Sequence, residues 1–351
     1  MARIRVLVVD DSVVIRRVVA DELATDPEVE VSVAASGAIA LAKLTQSGFD
    51  LVILDVEMPD MDGLQTLAAI RRTHPRLPVV MFSAFTERGA AATLEALALG
   101  ATDYFAKPAG PGGLDESRRV LREELLPAIR QLCRSPRPSP ASAPPFRQPN
   151  LTAGPVSAIV IAASTGGPNA LLDVLREFPA DLPVPILIVQ HMPPMFTKML
   201  AERLTAATRV AVEEAVDGAV VVAGRAVVAP GDFHLTVGRD RMAIRVVLNQ
   251  NPPENSCRPA ADPLLRSAAA VYGRGTLAIV LTGMGSDGLR GCEAVRAAGG
   301  QVLVQDEATS VVWGMPGAVA RAGLADQVLP LPKIGSEIVR RATAAGGGVT
   351  S

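Results

Sequence analysis

Three observations predict two doubly wound α/β domains in series. Short runs of Val, Ile and Leu alternate with helical patterns from the first residues onward, as expected of a mostly parallel sheet with helices on both faces. The alternation stops once, at a proline-rich stretch over 133–155, and then resumes. Polar residues with useful chemistry fall just after the apolar runs, at the carboxyl edge where such sheets bind ligands. The predicted division is residues 1–132, a linker at 133–155, and residues 156–351. Each domain is long enough to bury its own core.

In the first domain, IRVLVV precedes a helix near Val13 to Leu23, VEVSVA one near Ala38 to Leu44, and LVILDV one near Leu64 to Ile70. PVVMFSA then leads to a helix near Ala90 to Leu99, and DYFAKP to a last one near Leu114 to Leu132. These units predict a five-stranded parallel sheet whose near-continuous apolar strands are buried on both faces. The strands end in Asp10 and Asp11, Asp55, Ser83 and Lys107. A single acid at a strand end commonly begins a turn, but four strands ending in complementary types point to a site. Three converging carboxylates repel one another unless a hard divalent cation such as Mg²⁺ sits among them. A lysine and a hydroxyl beside them suit phosphoryl oxygens, and lysine is scarce here, with four against thirty arginines.

The stretch from Cys133 to Pro155 holds too much proline for helix or sheet to propagate and reads as a semi-extended tether. The second domain opens with a strand, the turn Ser164-Thr165-Gly166-Gly167-Pro168 and a helix. Pro168 suits a first helical position, which would leave the Ser164 hydroxyl beside free helix N–H groups. On this turn alone, an N-cap and a presented nucleophile are equal readings. PILIVQ ends at His191 and leads to a helix over FTKMLAERL; Val210 to Leu248 reads as short strands and hairpin turns. PLLRSAAAVYG is helical, TLAIVLTGMGSDG is a strand and glycine-rich loop carrying Asp287, QVLVQDEATS is a strand, and WGMPGAVARAG opens a helix. The expected fold is a mostly parallel sheet with a hairpin insertion.

Ser164, His191 and Asp287 each follow a buried strand of this one sheet. A serine hydroxyl becomes a nucleophile when an imidazole takes its proton, and a carboxylate fixes the tautomer of that imidazole. The glycines of TGMGSDG allow backbone N–H groups to approach a developing oxyanion. Ser-His-Asp order, and Ala162 where a G-x-S-x-G elbow has its first glycine, disfavour the α/β-hydrolases. The only other histidines are His74 and His234. His234 follows APGDF and is expected away from the sheet edge as a partly exposed structural residue. Cys292 lies inside a predicted helix, and Cys257 has no histidine near it in sequence, so both are poor nucleophile candidates.

Composition narrows the function further. Hydrophobic content of 49% with 20% charged residues marks a globular chain, and a net charge of −2 with no basic block argues against a nucleic-acid partner. Three widely spaced cysteines fit a reducing compartment. No apolar run reaches membrane-spanning length and the opening acidic pair comes too early for a signal peptide, so a cytoplasmic protein without direct membrane insertion is expected.

With Asp10-Asp11, the DVEMPDMDG run from Asp55 to Gly63, Ser83 and Lys107-Pro108, the first domain resembles a response-regulator receiver. The resemblance implies that Asp55 accepts a phosphoryl group from a chemotaxis-type histidine kinase. It further implies that Asp11, Asp55 and the Glu57 carbonyl hold Mg²⁺ with help from Asp10, that Ser83 and Lys107 contact the phosphoryl oxygens, and that Tyr104 reorients with Ser83 on activation. A half-buried strand residue is the alternative reading of Tyr104.

The second domain, with ASTGGP (Ala163 to Pro168), VQHMP (Val189 to Pro193), APGDFH (Ala229 to His234), LTGMGSDG (Leu281 to Gly288) and QDEATSVVWGMP (Gln305 to Pro316), resembles the CheB methylesterase domain. This implies catalysis by Ser164, His191 and Asp287 with the Met284 N–H as oxyanion donor and no cofactor in the catalytic domain. It also implies hydrolysis of γ-glutamyl methyl esters on methyl-accepting chemoreceptors, with deamidation of receptor glutamines as a related reaction. One departure is Ala260 in CRPAADPLL, where the family more often has serine, which weakens a substrate role for the loop carrying Arg258. From the architecture and the resemblance, the unphosphorylated first domain is expected to cover the cleft of the second. A phosphate-controlled adaptor with a vestigial triad is the alternative from another class, and a DNA-binding regulator lacks both basic surface and a helix-turn-helix pattern.

Overall fold

The structure, a computed structural model, describes residues 3–83, 86–107, 118–119, 121–133 and 154–344. The chain divides into two compact units, Met1–Arg137 and Pro138–Ser351. The predicted linker lies outside the described residues apart from its ends, as does the start of the last helix predicted for the first domain. No helix among the described residues is long and apolar enough to cross a membrane.

In the first unit, β1 (Ile4–Val9), β2 (Val29–Ala34), β3 (Leu51–Asp55), β4 (Val79–Ser83) and β5 (Asp103–Ala106) form one sheet in the order β2-β1-β3-β4-β5. Every pairing is parallel. β3 and β4 are buried at every position, which is why their sequences carry no alternation. The helices Val13–Leu23, Gly37–Gln46, Gly63–Thr73 and Glu87–Ala98 each begin after a side-chain cap: Ser12, Ser36, Asp62 and Thr86. Asp62 and Gln65 cap reciprocally. These caps place three of the four helix starts one to three residues earlier than apolar periodicity alone suggests. A π-helical turn, Leu121–Leu125, runs into the helix Leu126–Cys133. It is tied back through Arg122 to Glu22 at 2.7 Å and Arg130 to Asp26 at 2.6 Å.

In the second unit, β6 (Ala158–Ala163), β7 (Ile186–Gln190), β8 (Ala211–Glu214), β9 (Arg225–Val228), β12 (Thr276–Val280), β13 (Gln301–Gln305) and β14 (Gln327–Leu329) form a seven-stranded sheet in the order β14-β13-β12-β6-β7-β9-β8. All its pairings are parallel. Among the described residues, β10 (His234–Asp240) and β11 (Ala243–Asn249) form an antiparallel hairpin, as a separate two-stranded sheet. The expectation of hairpins throughout 210–248 is thus corrected for its first half, where β8 and β9 extend the main sheet. Strands of four residues are too short for periodicity to separate a hairpin from a crossover.

From β6 the chain goes to β7 on one side and later returns to β12 on the other. That reversal makes the carboxyl ends of β12, β6 and β7 the topological switch point, where a crevice opens in such sheets.

Candidate functional site

In the first unit, Asp10, Asp11 and Asp55 each offer a carboxylate oxygen within 4.8 Å of the others. Asp10 and Asp55 are buried, and Lys107 Nζ stands 2.8 Å from Asp10 and 2.7 Å from Asp55. Burial, with Asp10 adding to it, pushes the Asp55 carboxyl up to about 6 against the opposing pull of Lys107. One lysine against three carboxylates leaves negative charge that a hard divalent cation would neutralise, so the donor set fits Mg²⁺. The Glu57 N–H donates to Asp55 at 3.2 Å, which turns this loop toward the acid cluster. Ser83 is buried at the end of β4 and Tyr104 is half-buried in β5.

In the second unit the strand ends carry the predicted set. Ser164 follows β6 and is half-buried; its N–H donates to the Thr282 carbonyl at 3.0 Å. Ala163 pairs with Gln190, so Ser164 and His191 stand one position beyond a register pair on adjacent strands. Asp287 is buried past β12. The structure brings two of the three side chains into contact: His191 Nε2 donates to Asp287 Oδ2 at 2.7 Å. Ser164 Oγ makes no hydrogen bond among the described residues. Nor does Ser164 cap the following helix (Gly167–Arg176), whose N-cap is Gly166 at φ 75 with no side-chain cap bond. The N-cap reading of Ser164 is therefore set aside.

Asp287 is the most heavily bonded group of the site. Besides His191 it accepts from the N–H groups of Ala261 at 2.6 Å, Asp262 at 3.1 Å and Gly288 at 2.9 Å, and from Asn255 Nδ2 at 2.8 Å. Two of these donors begin the helix Ala261–Tyr272, whose N-terminus favours a negative charge. Burial alone would raise the Asp287 carboxyl, but these partners hold it below the usual carboxylate value. Burial would likewise lower the His191 imidazole, yet Asp287, and then Cys257, push it up to about 10.

The loop after β12 closes onto Ser164 because Gly283 has no side chain. A Cβ there would lie 2.7 Å from Ser164 Cβ and 2.5 Å from Met315 Sδ. The Met284 N–H, the predicted oxyanion donor, makes no hydrogen bond among the described residues, nor do those of Thr165 and Gly166. Beneath the turn, the buried Gln190 carboxamide donates to the carbonyls of Ser164 at 2.9 Å and His191 at 3.3 Å, clamping both strand ends. A Cβ on Gly167 would fall on Gln190 Oε1. Gly167→Ala is therefore expected to lose about 1–3 kcal/mol of stability through overpacking, checked by denaturant midpoint, and to impair the site with it.

Two expectations are corrected here. His234 is not partly exposed: it is 1% exposed at the start of β10. Its Nδ1 accepts from the Ala260 N–H at 3.2 Å, which makes Nε2 the donor to the Pro252 carbonyl at 3.2 Å. Cys257 does have a histidine beside it, for its Sγ lies 3.5 Å from His191 Nδ1 although 66 residues separate them. Arg258 holds its own loop, donating to Asp232 at 2.6 Å and to the carbonyls of Gln250 and Asn251. Asn255, Cys257 and Gln190 are the site residues that sequence reasoning missed. The strand-end position of Gln190 was the one available signal.

Fold and site together define an α/β unit with an acidic cluster at its strand ends, followed by an α/β unit that gathers Ser164, His191 and Asp287 around its switch point. Comparison with known proteins agrees: the CheB methylesterase family pattern matches residues 159–338, and that of the response regulator receiver domain matches residues 6–118. A protein-glutamate methylesterase/protein-glutamine glutaminase of Trichodesmium erythraeum (strain IMS101) is 51% identical over 350 residues, 97% of this chain and 99% of that protein. One of the same name from Nocardioides sp. (strain ATCC BAA-499 / JS614) is 50% identical over 352 residues, 97% of this chain and 96% of that protein. The crystal structure of the Thermotoga maritima CheB methylesterase catalytic domain is 42% identical with a TM-score of 0.52, covering 53% of this chain and 99% of that one. The chain belongs to the CheB methylesterase family, with a response-regulator receiver domain ahead of the methylesterase domain.

Proposed function

We propose that this chain is a phosphorylation-activated serine esterase that hydrolyses γ-glutamyl methyl esters on chemoreceptor cytoplasmic helices, serving adaptation in chemotaxis-type signalling. Residues 1–132 act as the receiver, 133–155 as the tether and 156–351 as the esterase. The observation that carries the reading is the 2.7 Å contact of His191 with Asp287 at the strand ends flanking Ser164.

With Nε2 committed to Asp287, His191 Nδ1 is the nitrogen that takes the Ser164 proton as the serine attacks the ester carbonyl. The free N–H groups of Met284, Thr165 and Gly166 receive the developing oxyanion. His191 returns the proton to the departing methoxide, methanol leaves, and water attacks the acyl-serine by the same route. A receptor glutamine undergoes the same attack with ammonia as leaving group.

In the receiver, Asp10, Asp11, Asp55 and the Glu57 carbonyl would hold Mg²⁺, whose charge would offset that of a phosphoryl group. Asp55 takes the group from a histidine kinase, and Ser83 and Lys107 hold its oxygens. The site fits such a transfer because Lys107 already bridges Asp10 and Asp55. Phosphorylation then raises the esterase rate.

The test is methanol release from methylated receptor, with and without a small phosphodonor and Mg²⁺. Release that the phosphodonor increases supports the reading; no release under either condition would favour a phosphate-controlled adaptor. The raised His191 value gives the pH dependence its sign. The base is the neutral imidazole, which appears only above its own pKa, so the rate is expected to climb with pH between the ordinary 6.5 and about 10. A rate already level by pH 7 would mean that Asp287 does not hold the imidazolium in the working enzyme.

A further inference from the structure

Cys257 brings a second nucleophile to the same base. Thiol, imidazole and carboxylate stand in series, with Cys257 Sγ 3.5 Å from His191 Nδ1 and His191 Nε2 2.7 Å from Asp287. That is the arrangement in which a base activates a thiol. Nδ1 is also the nitrogen Ser164 needs, and the thiol holds it while Ser164 Oγ stands unbonded among the described residues.

The loop that delivers the thiol is built for the contact. Glu254 and Cys257 exchange backbone hydrogen bonds at 3.2 and 2.9 Å, and the two residues between them, Asn255 and Ser256, have φ of 52 and 62. Two positive φ values in a two-residue turn mark type I′ geometry, which favours Asn and Gly. Ser256 adopts it at a cost in strain. The turn points Asn255 at both Asp287 (2.8 Å) and Asp262 (3.0 Å) while setting Cys257 on His191. His234 and Arg258 pin the flanks of the loop from outside. Cys257 is half-buried and so within reach of a small solute. Burial pushes the Cys133 thiol up to about 12 and raises that of Cys292.

We propose that Cys257 is an oxidation site through which a peroxide-class oxidant switches the esterase off reversibly. With His191 in its neutral form, the thiol proton passes to Nδ1, and the thiolate attacks one peroxide oxygen. The S–O bond forms as the O–O bond breaks, and the departing hydroxide or alkoxide takes the proton from His191 and leaves as water or alcohol. Sulfur loses two electrons, the peroxide gains them, and Cys257 becomes a sulfenic acid that a thiol reductant restores. The added oxygen occupies the space beside Nδ1 and keeps Ser164 from its base. The loss of esterase activity rests on the reading of Ser164 and His191 given above; the thiol chemistry does not.

The experiment treats the reduced full-length chain with hydrogen peroxide, traps sulfenic acid with dimedone, maps it by peptide mass spectrometry, and follows methanol release in parallel. Dimedone is expected on Cys257 at least tenfold faster than on Cys133, and at least tenfold slower on Cys257 in His191→Gln. Methanol release should fall as the adduct grows and, in a parallel sample without dimedone, return with dithiothreitol. In Cys257→Ala and Cys257→Ser, whatever release remains should be indifferent to peroxide. Labelling of Cys257 no faster than Cys133, labelling without loss of methanol release, or equal peroxide sensitivity in both variants each overturns the proposal. If the untreated chain releases no methanol, the esterase reading fails and the off-switch with it, while mapping still decides whether His191 activates the thiol.

Discussion

Ser164→Ala is expected to lower methanol release from methylated receptor by about three to six orders of magnitude, since removal of a triad nucleophile leaves only binding and oxyanion stabilisation. Phosphorylation of Asp55 should be untouched, because that chemistry belongs to the other unit. The variant is a clean one. Ser164 is half-buried, its Oγ makes no hydrogen bond among the described residues, and it does not cap the helix behind it, so little folding stability depends on it. Thermal melting alongside the assay verifies this. Turnover within tenfold of the parent would mean that another group attacks the ester, and Cys257, 3.5 Å from the same base, would be the first to examine.

Asp287→Asn should cost about four orders of magnitude in turnover, the scale of losing tautomer control over a triad histidine. Its effect on folding should be larger than that of Ser164→Ala. Asp287 accepts from three backbone N–H groups, the Asn255 amide and His191. An asparagine offers one oxygen in place of two and turns an NH₂ toward donors that it cannot satisfy. Leaving such buried donors unpaired costs about 1–3 kcal/mol. A denaturant midpoint unchanged from the parent, or turnover within tenfold of it, would show that the hydrogen-bond set around Asp287 is less decisive than its geometry implies.

The strand-end residues of both units were legible in the sequence for a local reason. In a parallel sheet buried on both faces, each strand is a bare apolar run, and the first polar residue after it marks the carboxyl edge. Asp10, Asp55, Ser83 and Ser164 declare themselves this way, whereas Lys107 closes a short strand that opens on Asp103, His191 follows the polar Gln190, and Asp287 lies in the loop beyond Thr282. Helix starts were less legible where they depend on a cap such as Ser36 or Thr86, whose identity as a cap shows only once the strand before it is placed. The β8–β9 segment was misread because four-residue strands carry too little pattern.

By itself, then, the amino-acid sequence determined the two α/β units and most of the strand ends that carry polar chemistry, because each is encoded by the character of neighbouring residues. Tertiary structure alone decided how those ends are used. It set the reversal of strand order at β12 and β6, the clamp of Gln190 on two strand ends, and the burial of His234 against the loop at 252–260. It also brought Asn255 to Asp287 across 32 residues and Cys257 to His191 across 66. A contact between segments so far apart follows from how the loop is pinned, and no local pattern of composition or spacing records it.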